Sequence, residues 1–234
     1  MKQIIALGGG GFSMEPENPL LDEYILAQTP KKKPKVCFIP TASGDSVQYI
    51  ERFYKAFSKY DCECAHLSLL REPRRDLAPY LLGHDIWYVG GGNTKNLLEL
   101  WREWGVDQIA RQAWEQGIIL AGISAGAMCW FEEGITDSYG DRLEPMACLG
   151  FLNGSYCPHF DGEADRRPTY ERFVRDRVLK PGVGVDDGAA VHYVDGERSR
   201  LVCSRKAASV YEVRGGRSVE EGKLAVSYLG SDCT

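Results

Sequence analysis

The sequence predicts an α/β fold in which a mostly parallel sheet carries helices on both faces, with antiparallel hairpins at the C-terminal end. Short apolar runs alternate with segments of helical periodicity, which is the pattern of a parallel sheet covered by helices. Most of the predicted strands end in glycine or small polar residues, and ligands bind at those ends in open α/β sheets. The length of 234 residues suits one such domain, so we expect residues 1–234 to form a single domain.

Composition and charge narrow the class of protein. The fractions of hydrophobic (44%) and charged (26%) residues are ordinary for a globular protein. The net charge of -5, without a basic cluster, offers no electrostatic basis for binding nucleic acid. We therefore expect a small-molecule or peptide ligand. The first apolar stretch, Gln3 to Leu7, is too short for a signal sequence or a membrane span, which predicts a cytoplasmic protein with no membrane partner.

The chain contains eight cysteines, which we expect to be reduced thiols because no secretion signal is predicted. The closest pair is Cys62 and Cys64. One residue separates them, so the pair matches neither a redox Cys-x-x-Cys motif nor the ligand spacing of a zinc site.

Five predicted strands lie between residues 3 and 121. They are short apolar runs, most of them followed by residues that favour turns. The predicted strands are Gln3 to Leu7, Lys35 to Ile39, Glu63 to Leu70, Asp85 to Val89 and Ile118 to Ala121.

The predicted helices lie between and after these strands. In the first helix Ile50, Phe53 and Phe57 recur at helical spacing, after a capping signal at Ser46. The predicted helices are Val47 to Tyr60, Leu97 to Trp104, Val106 to Glu115 and Tyr170 to Leu179. From Val183 to Tyr228 the pattern changes to short alternating runs. Turn pairs at Asp187-Gly188, Asp195-Gly196 and Gly215-Gly216 break these runs, which predicts antiparallel hairpins.

The run from Ile118 to Met128 carries the strongest chemical signal. It is a buried strand that enters Gly122-Ile123-Ser124-Ala125-Gly126 and continues into a helix. A serine on so sharp a turn is held in a strained conformation that presents its hydroxyl at the edge of the sheet. The N–H of Ala125, at the start of the helix, can donate to a developing oxyanion. A nucleophilic Ser124 is therefore predicted, and a plain tight turn is the alternative.

Two glycine-rich segments follow other predicted strands. Gly90-Gly91-Gly92 lets backbone amides approach an oxygen closely, as an oxyanion hole requires. No Gly-Lys-Ser/Thr follows, so a phosphate-binding Walker loop is not predicted, and a turn that needs positive φ is the alternative. The run from Gly8 to Gly11 lacks the spacing of a dinucleotide-binding fingerprint. We therefore expect no cofactor there.

Of the four histidines, His159 has the setting of a general base. It follows a short apolar strand and begins a polar loop, and Pro158 fixes the backbone before it, which holds the imidazole in a defined place. His66, His84 and His192 lie in strands or turns that favour structural roles. We predict His159 as the base.

A triad also needs a carboxylate that accepts a hydrogen bond from the other ring nitrogen. Asp187, Asp161 and Asp137 are the candidates, and their spacing in the sequence does not decide among them. Asp187 belongs to an Asp-Gly pair, so it could equally serve only to form a turn.

Four segments together resemble peptidase E, the aspartyl dipeptidases, and the related cyanophycinases. They stand in the family's order and span most of the chain. The segments are Val89-Gly90-Gly91-Gly92-Asn93-Thr94, Gly122-Ile123-Ser124-Ala125-Gly126-Ala127, Pro158-His159-Phe160-Asp161-Gly162-Glu163 and Gly184-Val185-Asp186-Asp187-Gly188. The resemblance implies a glutamine-amidotransferase-like α/β fold and the chain order serine, histidine, acid.

The resemblance also implies roles for these residues. It makes Ser124 the nucleophile, His159 the base and Asp187 the acid, a position that is often glutamate in the family. It implies that Gly91 and Ala125 are the oxyanion donors. The implied reaction is hydrolysis of dipeptides with an N-terminal aspartate through an acyl-enzyme, for which no metal or other cofactor is expected.

Recognition of an acidic substrate would require a nearby cation. Arg166 and Arg167 follow the histidine loop and are candidates for a bidentate clamp, and Asn93 and Thr94 are further candidates for substrate binding. Two other functions remain open, a related amide hydrolase acting on other aspartyl compounds and a non-catalytic ligand-binding homologue. The expected partner is a small peptide substrate, and the candidate assembly is a homodimer.

Overall fold

The structure is a computed structural model that describes residues 1–140, 142–215 and 220–230. Its strands form two sheets, one of eight strands and one of six. In chain order the strands are β1 (Gln3–Leu7), β2 (Lys35–Ile39), β3 (Glu63–His66), β4 (Ile86–Val89), β5 (Ile119–Ile123), β6 (Phe131–Thr136), β7 (Glu144–Ala147), β8 (Leu152–Cys157), β9 (Gly182–Val185), β10 (Ala189–Val194), β11 (Glu197–Cys203), β12 (Val210–Arg214), β13 (Glu220–Leu224) and β14 (Ser227–Tyr228).

The helices occupy the crossovers between strands, with a short 3₁₀ turn at Thr41–Ser43. The α-helices are α1 (Gly11–Met14), α2 (Leu20–Leu26), α3 (Val47–Phe57), α4 (Leu77–Leu82), α5 (Thr94–Trp104), α6 (Val106–Glu115), α7 (Ala125–Met128) and α8 (Arg166–Arg175). In the described part of the chain, no helix is both long enough and apolar enough to cross a membrane.

The eight-stranded sheet has the order β14-β11-β10-β1-β5-β4-β2-β3. The five strands from β1 to β3 in this order are mutually parallel, as the alternation of strands and helices predicted. At the other edge, β10 runs antiparallel to β1, and β11 runs antiparallel to β10. The carboxyl ends of β1, β5 and β4 therefore lie side by side, which places the segments that follow them at one edge of the sheet.

The six-stranded sheet, in the order β13-β12-β9-β8-β6-β7, was not predicted. β6, β8 and β9 are parallel neighbours, and β7, β12 and β13 run antiparallel to theirs. The Asp195-Gly196 hairpin is confirmed between β10 and β11. The Asp187-Gly188 hairpin was wrong, because β9 and β10 belong to different sheets. The third predicted turn pair is Gly215-Gly216, of which Gly216 lies outside the described residues.

Helices cover both faces of the eight-stranded sheet, which confirms the predicted fold class. Along β1, Ile5 and Leu7 face a core with α1, α2 and α3, while Ile4 and Ala6 face a core shared with α4 to α7 and the second sheet. A third, smaller core lies between the second sheet and α8. The alternation of side chains along a strand sends successive residues into different cores.

Several element boundaries differ from the prediction for identifiable reasons. α5 begins at Thr94 because the Asn93 side chain caps it by accepting the N–H of Asn96. α8 begins at Arg166, which places Pro168 in its first turn, where proline is tolerated. β3 ends at His66 rather than Leu70, since Ser68 and Leu70 turn away to donate to the Asp45 carboxylate.

The two neighbouring cysteines lie side by side at the start of β3. Cys62 precedes β3, and its Sγ is 3.5 Å from the Sγ of Cys64. All the cysteines in the described part of the chain are free thiols. Burial raises the pKa of the Cys64 thiol to about 12, so this pair stays protonated near neutral pH.

Candidate active site

Ser124 stands on the turn between β5 and α7. Its backbone φ of 53° lies in the left-handed region, where a side chain other than glycine is strained. A Cβ added to Gly122 would lie under 3.0 Å from the Gly126 carbonyl, and one added to Gly126 would lie under 3.0 Å from the Val89 carbonyl. Only glycine therefore fits on either side of this serine, and the strand and helix hold it in place.

His159 lies in the loop that follows β8, a strand of the six-stranded sheet. Its backbone φ is also 53°, and its Nε2 is 2.9 Å from the Oγ of Ser124. The next residue, Phe160, donates its N–H to the Val185 carbonyl at the end of β9, which fixes the loop. The structure thus brings the predicted nucleophile and the predicted base within hydrogen-bonding distance.

Asp187 follows β9, the parallel neighbour of β8, so its turn lies beside the histidine loop. Its Oδ1 is 2.6 Å from the Nδ1 of His159. These distances fit the tautomer in which Nδ1–H donates to Asp187 while Nε2 accepts from the Ser124 hydroxyl. The order serine, histidine, aspartate is the arrangement of a catalytic triad.

The other two candidate acids have different contacts. Asp161 accepts the backbone N–H of Asp187 at 2.8 Å through its Oδ1. Asp137 lies 3.6 Å from the guanidinium of Arg166. Of the three carboxylates, Asp187 is the one within hydrogen-bonding distance of the imidazole.

Two glycines make room for the Asp187 carboxylate. A Cβ on Gly9 would lie under 3.0 Å from its Oδ1, and a Cβ on Gly162 would lie under 3.0 Å from its Oδ2. Gly9 also accepts the N–H of Gly188 at 3.0 Å, so the glycine-rich segment after β1 packs against the turn that carries the acid. The close approach of the Asp187 turn is a sufficient reason for glycine in that segment.

Gly91 lies beside Ser124, the predicted nucleophile. A Cβ added to Gly91 would be 3.3 Å from the Cβ of Ser124 and 3.9 Å from its Oγ. The Gly91 N–H donates to the Oη of Tyr49 over a long 3.4 Å, and burial raises the pKa of the Tyr49 phenol. Ala125 is the first residue of α7, so its N–H has no carbonyl partner within the helix.

Asn93 and Thr94 lie at the start of α5, next to a loop of the second sheet. The Nδ2 of Asn93 donates to the Ser138 carbonyl at 3.1 Å, and the N–H of Thr94 donates to the Ser138 Oγ at 2.8 Å. Thr94 is buried. These contacts connect the glycine loop to the segment after β6, and a role of Asn93 or Thr94 in substrate binding stays a prediction.

Arg166 and Arg167 are both paired with carboxylates of the protein. Arg166 is buried, and its Nε donates to Glu163 at 2.5 Å. Arg167 is half exposed and donates to Glu171 and Glu221 from its position beside Tyr211. The predicted clamp on a substrate carboxylate stays a prediction, and it would require one of these ion pairs to open.

A buried carboxyl group, that of Asp186, lies next to Asp187 in the chain. Asp186 accepts the N–H of Ser209 at 2.9 Å. Burial, and then the charge of Asp161, raise the pKa of Asp186 to about 6. The carboxyl groups of Asp161, Asp186 and Asp187 thus lie close together at this turn.

Sequence reasoning missed several residues around the site. Tyr49, Arg205 and Gly9 contact the catalytic segments only because distant parts of the chain meet there. Tyr49 could have been found from the helical pattern of the sequence. It directly precedes Ile50 in the predicted helix and lies on the buried face of α3. No local pattern distinguishes Arg205 from the other exposed arginines.

The chain is similar in sequence to known peptidases. Residues 4–201 match the model of peptidase family S51. The chain is 54% identical over 231 residues to the uncharacterized peptidase YgaJ of Bacillus subtilis (strain 168), covering 98% of this chain and 100% of that one.

Two solved structures resemble the fold. A peptidase from an acI-B1 Actinobacterium superposes with a TM-score of 0.69 at 22% identity, covering 97% of this chain and 95% of that one. A protein of Listeria monocytogenes EGD-e, described as a candidate peptidase E, gives a TM-score of 0.57 at 18% identity, covering 96% of this chain and 100% of that one.

Proposed function

The chain belongs to peptidase family S51, the peptidase E family, and is a serine peptidase, and we propose that it is a dipeptidase that hydrolyses short peptides with an N-terminal aspartate. In this proposal Ser124 is the nucleophile, His159 the base and Asp187 the orienting acid. The observation that carries it is the continuous hydrogen-bonded row from Ser124 through His159 to Asp187, with distances of 2.9 and 2.6 Å.

The proposed reaction begins when the Ser124 Oγ attacks the scissile carbonyl and passes its proton to the Nε2 of His159. Asp187 holds the ring in the required tautomer and stabilises the imidazolium. The imidazolium then protonates the leaving amine, which leaves an acyl-enzyme on Ser124. A water molecule, deprotonated by His159, hydrolyses the acyl-enzyme and returns the serine to its starting state.

The developing oxyanion would be stabilised by the backbone amides of Gly91 and Ala125. Gly91 lies close to Ser124, and Ala125 is the first residue of the helix that follows Ser124. The Gly91 N–H donates to the Tyr49 Oη over a long 3.4 Å, so an oxyanion would replace a long neutral hydrogen bond with a charge-assisted one.

Recognition of an aspartate side chain is proposed to use Arg166 before Arg167. One of the carboxylates near Arg166, Asp137, is largely exposed and 3.6 Å away, so a substrate carboxylate could displace it while Glu163 remains bound. Arg167 is instead held by Glu171 and Glu221. The preference for an acidic substrate rests on the family and on this displaceable contact.

The test is hydrolysis of a panel of dipeptides by the purified protein. Asp-X dipeptides are compared with Asn-X, Ala-X and isoaspartyl dipeptides, with release of the free amino acids measured. We expect Asp-X to be cleaved with the highest kcat/KM, and Ser124→Ala to abolish cleavage. Ser58→Ala is the matched control, because this serine is exposed and its Oγ donates to Lys55 at the end of α3.

A preference for isoaspartyl or other aspartyl amides in this panel would indicate that the protein is the related amide hydrolase and not a dipeptidase. Full cleavage of Asp-X dipeptides by Ser124→Ala would contradict the proposed nucleophile. Single-domain organisation, a cytoplasmic location and a homodimer also stay predictions from the sequence.

A further inference from the structure

Asp161 is a carboxylate next to the triad that does not contact the imidazole. It lies two residues after His159, in a turn in which Gly162 and Glu163 donate to the His159 carbonyl. Its Oδ1 accepts the backbone N–H of Asp187 at 2.8 Å. One short side chain therefore connects the loop that carries the base to the turn that carries the acid.

The Asp187 turn is held on its other side by Arg205. The guanidinium of Arg205 donates to the Asp187 carbonyl and lies 3.7 Å from the Oδ2 of Asp161. Its Nε is 3.2 Å from Glu15, whose other oxygen accepts the Ser204 hydroxyl at 2.6 Å. The backbone N–H and the carbonyl of Asp187 are thus each bound by a charged side chain.

We propose that Asp161 is a positioning residue, which acts through Asp187 by setting the place of its carboxylate relative to the Nδ1 of His159. The inference rests on the proposed function, since it assumes that the row from Ser124 to Asp187 is the catalytic triad. Asp161 touches neither the substrate nor the reacting atoms in this role.

The geometry determines which side chains can take the place of Asp161. The Asp187 N–H needs an acceptor two bonds from the Cβ of residue 161, and the side-chain oxygen of asparagine occupies the same place as the carboxylate oxygen. Alanine offers no acceptor. The Asp161 side chain is 44% exposed, so its removal leaves no buried cavity, and water can reach the freed amide. The expected defect is thus in the alignment of the acid and not in folding.

The test measures the rate of Ser124 modification by a fluorophosphonate probe, which requires no knowledge of the natural substrate. In this reaction the Ser124 Oγ forms a bond to phosphorus, fluoride leaves and the serine proton passes to His159. We expect Asp161→Ala to lower the second-order rate constant by about 10- to 100-fold, the usual consequence of a displaced catalytic group. Asp161→Asn is expected to stay within roughly threefold of the parent because it keeps the acceptor.

Asp85→Ala is the matched control. Asp85 also accepts a backbone N–H, that of Lys35 at 2.9 Å, but it precedes β4 at the opposite end of the sheet. Its removal deletes the same kind of bond and should leave the rate of modification unchanged. Circular dichroism and the unfolding temperature of each variant check that the fold is intact. Asp161→Ser, which also lacks an acceptor at the required distance, replaces Asp161→Ala if that variant does not fold.

A folded Asp161→Ala that reacts at the parent rate would overturn the proposal, and so would an Asp161→Asn as slow as Asp161→Ala. Rescue by asparagine is the result that general structural support does not predict. A parent protein that takes no label on Ser124 would instead contradict the proposed function itself, so the two failures are distinguishable.

Discussion

The two halves of the candidate site are held by different kinds of force. Ser124 and the Gly91 loop follow parallel strands of the eight-stranded sheet, and backbone contacts that exclude any Cβ at Gly122 and Gly126 fix their positions. His159 and Asp187 follow strands of the six-stranded sheet. Their loops are joined by hydrogen bonds and ion pairs, among them the bond from the Asp187 N–H to Asp161.

The two halves should therefore respond differently to substitutions. The nucleophile side depends on steric fit, so it should tolerate changes of charge and fail on added atoms. The side that carries the base and the acid depends on the placement of polar groups across two loops, so small displacements there should reduce catalysis while the fold persists. Three predictions test this contrast and a fourth concerns the core of the eight-stranded sheet, in order of decreasing effect on the reaction.

The largest effect is expected where the two halves meet. Ser124→Ala and His159→Ala should each lower kcat by roughly 10⁶-fold, and the double variant should be no slower than either single one, since residues that act as one unit are not additive. The measurement is kcat for all three variants on the dipeptide that the parent cleaves fastest. A double variant slower by the product of the two effects would show that the residues act independently.

A smaller loss is expected from Asp187→Asn, which keeps the shape of the side chain but favours the wrong tautomer of His159. We expect kcat to fall by roughly 10⁴-fold. The neighbouring Asp186→Asn is the control, because asparagine can still accept the N–H of Ser209. Parent activity in Asp187→Asn would make Asp161 or Asp137 the better candidate for the acid.

Added volume on the polar side should have an intermediate effect. A Cβ at position 162 would lie under 3.0 Å from the Oδ2 of Asp187, so Gly162→Ala should displace the acid and lower kcat by about 10- to 100-fold. Gly222→Ala, also in the region of the six-stranded sheet, is the control because nothing lies within 4 Å of its added Cβ. Equal kcat values for the two variants would show that the carboxylate has room to adjust.

The smallest effect on the reaction is expected from the core beneath the eight-stranded sheet. Asp22 is buried and accepts the Tyr88 hydroxyl, and burial raises the pKa of its carboxyl from 3.8 to about 7. The folded state therefore binds this proton more tightly than the unfolded state does. The free energy of unfolding should fall as the pH rises from about 4 to 7.

Asp22→Asn removes this ionisation and should flatten that slope, with a gain on the order of 4 kcal/mol in the free energy of unfolding at pH 8. Urea unfolding of the parent and the variant across this pH range provides the measurement. An equally steep slope in Asp22→Asn would assign the titration to another group. Activity at pH 8 should stay near that of the parent.

The sequence predicted the nucleophile half more completely than the other half. The strand, Gly-x-Ser-x-Gly and helix around Ser124 are consecutive residues, so their local pattern carries the geometry. The acid at Asp187 could not be chosen from spacing, because its turn meets the His159 loop only through the pairing of β8 with β9. The same long-range pairing explains why Asp187-Gly188 resembled a hairpin turn although the flanking strands belong to different sheets.

Residues that contact the site from distant parts of the chain illustrate the same limit. Contacts of Tyr49 and Arg205 with the site depend on how α3 and the segment after β11 approach the sheet edge. Such approaches depend on tertiary packing, which local periodicity does not encode.

The central claim, that the Ser124 hydroxyl is activated by His159, is tested most directly by locating the adduct of a fluorophosphonate by peptide mass spectrometry at neutral pH. A single adduct on Ser124 is predicted in the parent, with none detected in His159→Ala over the same time. An adduct on another residue, no adduct at all, or equal labelling of Ser124 in His159→Ala would contradict the claim.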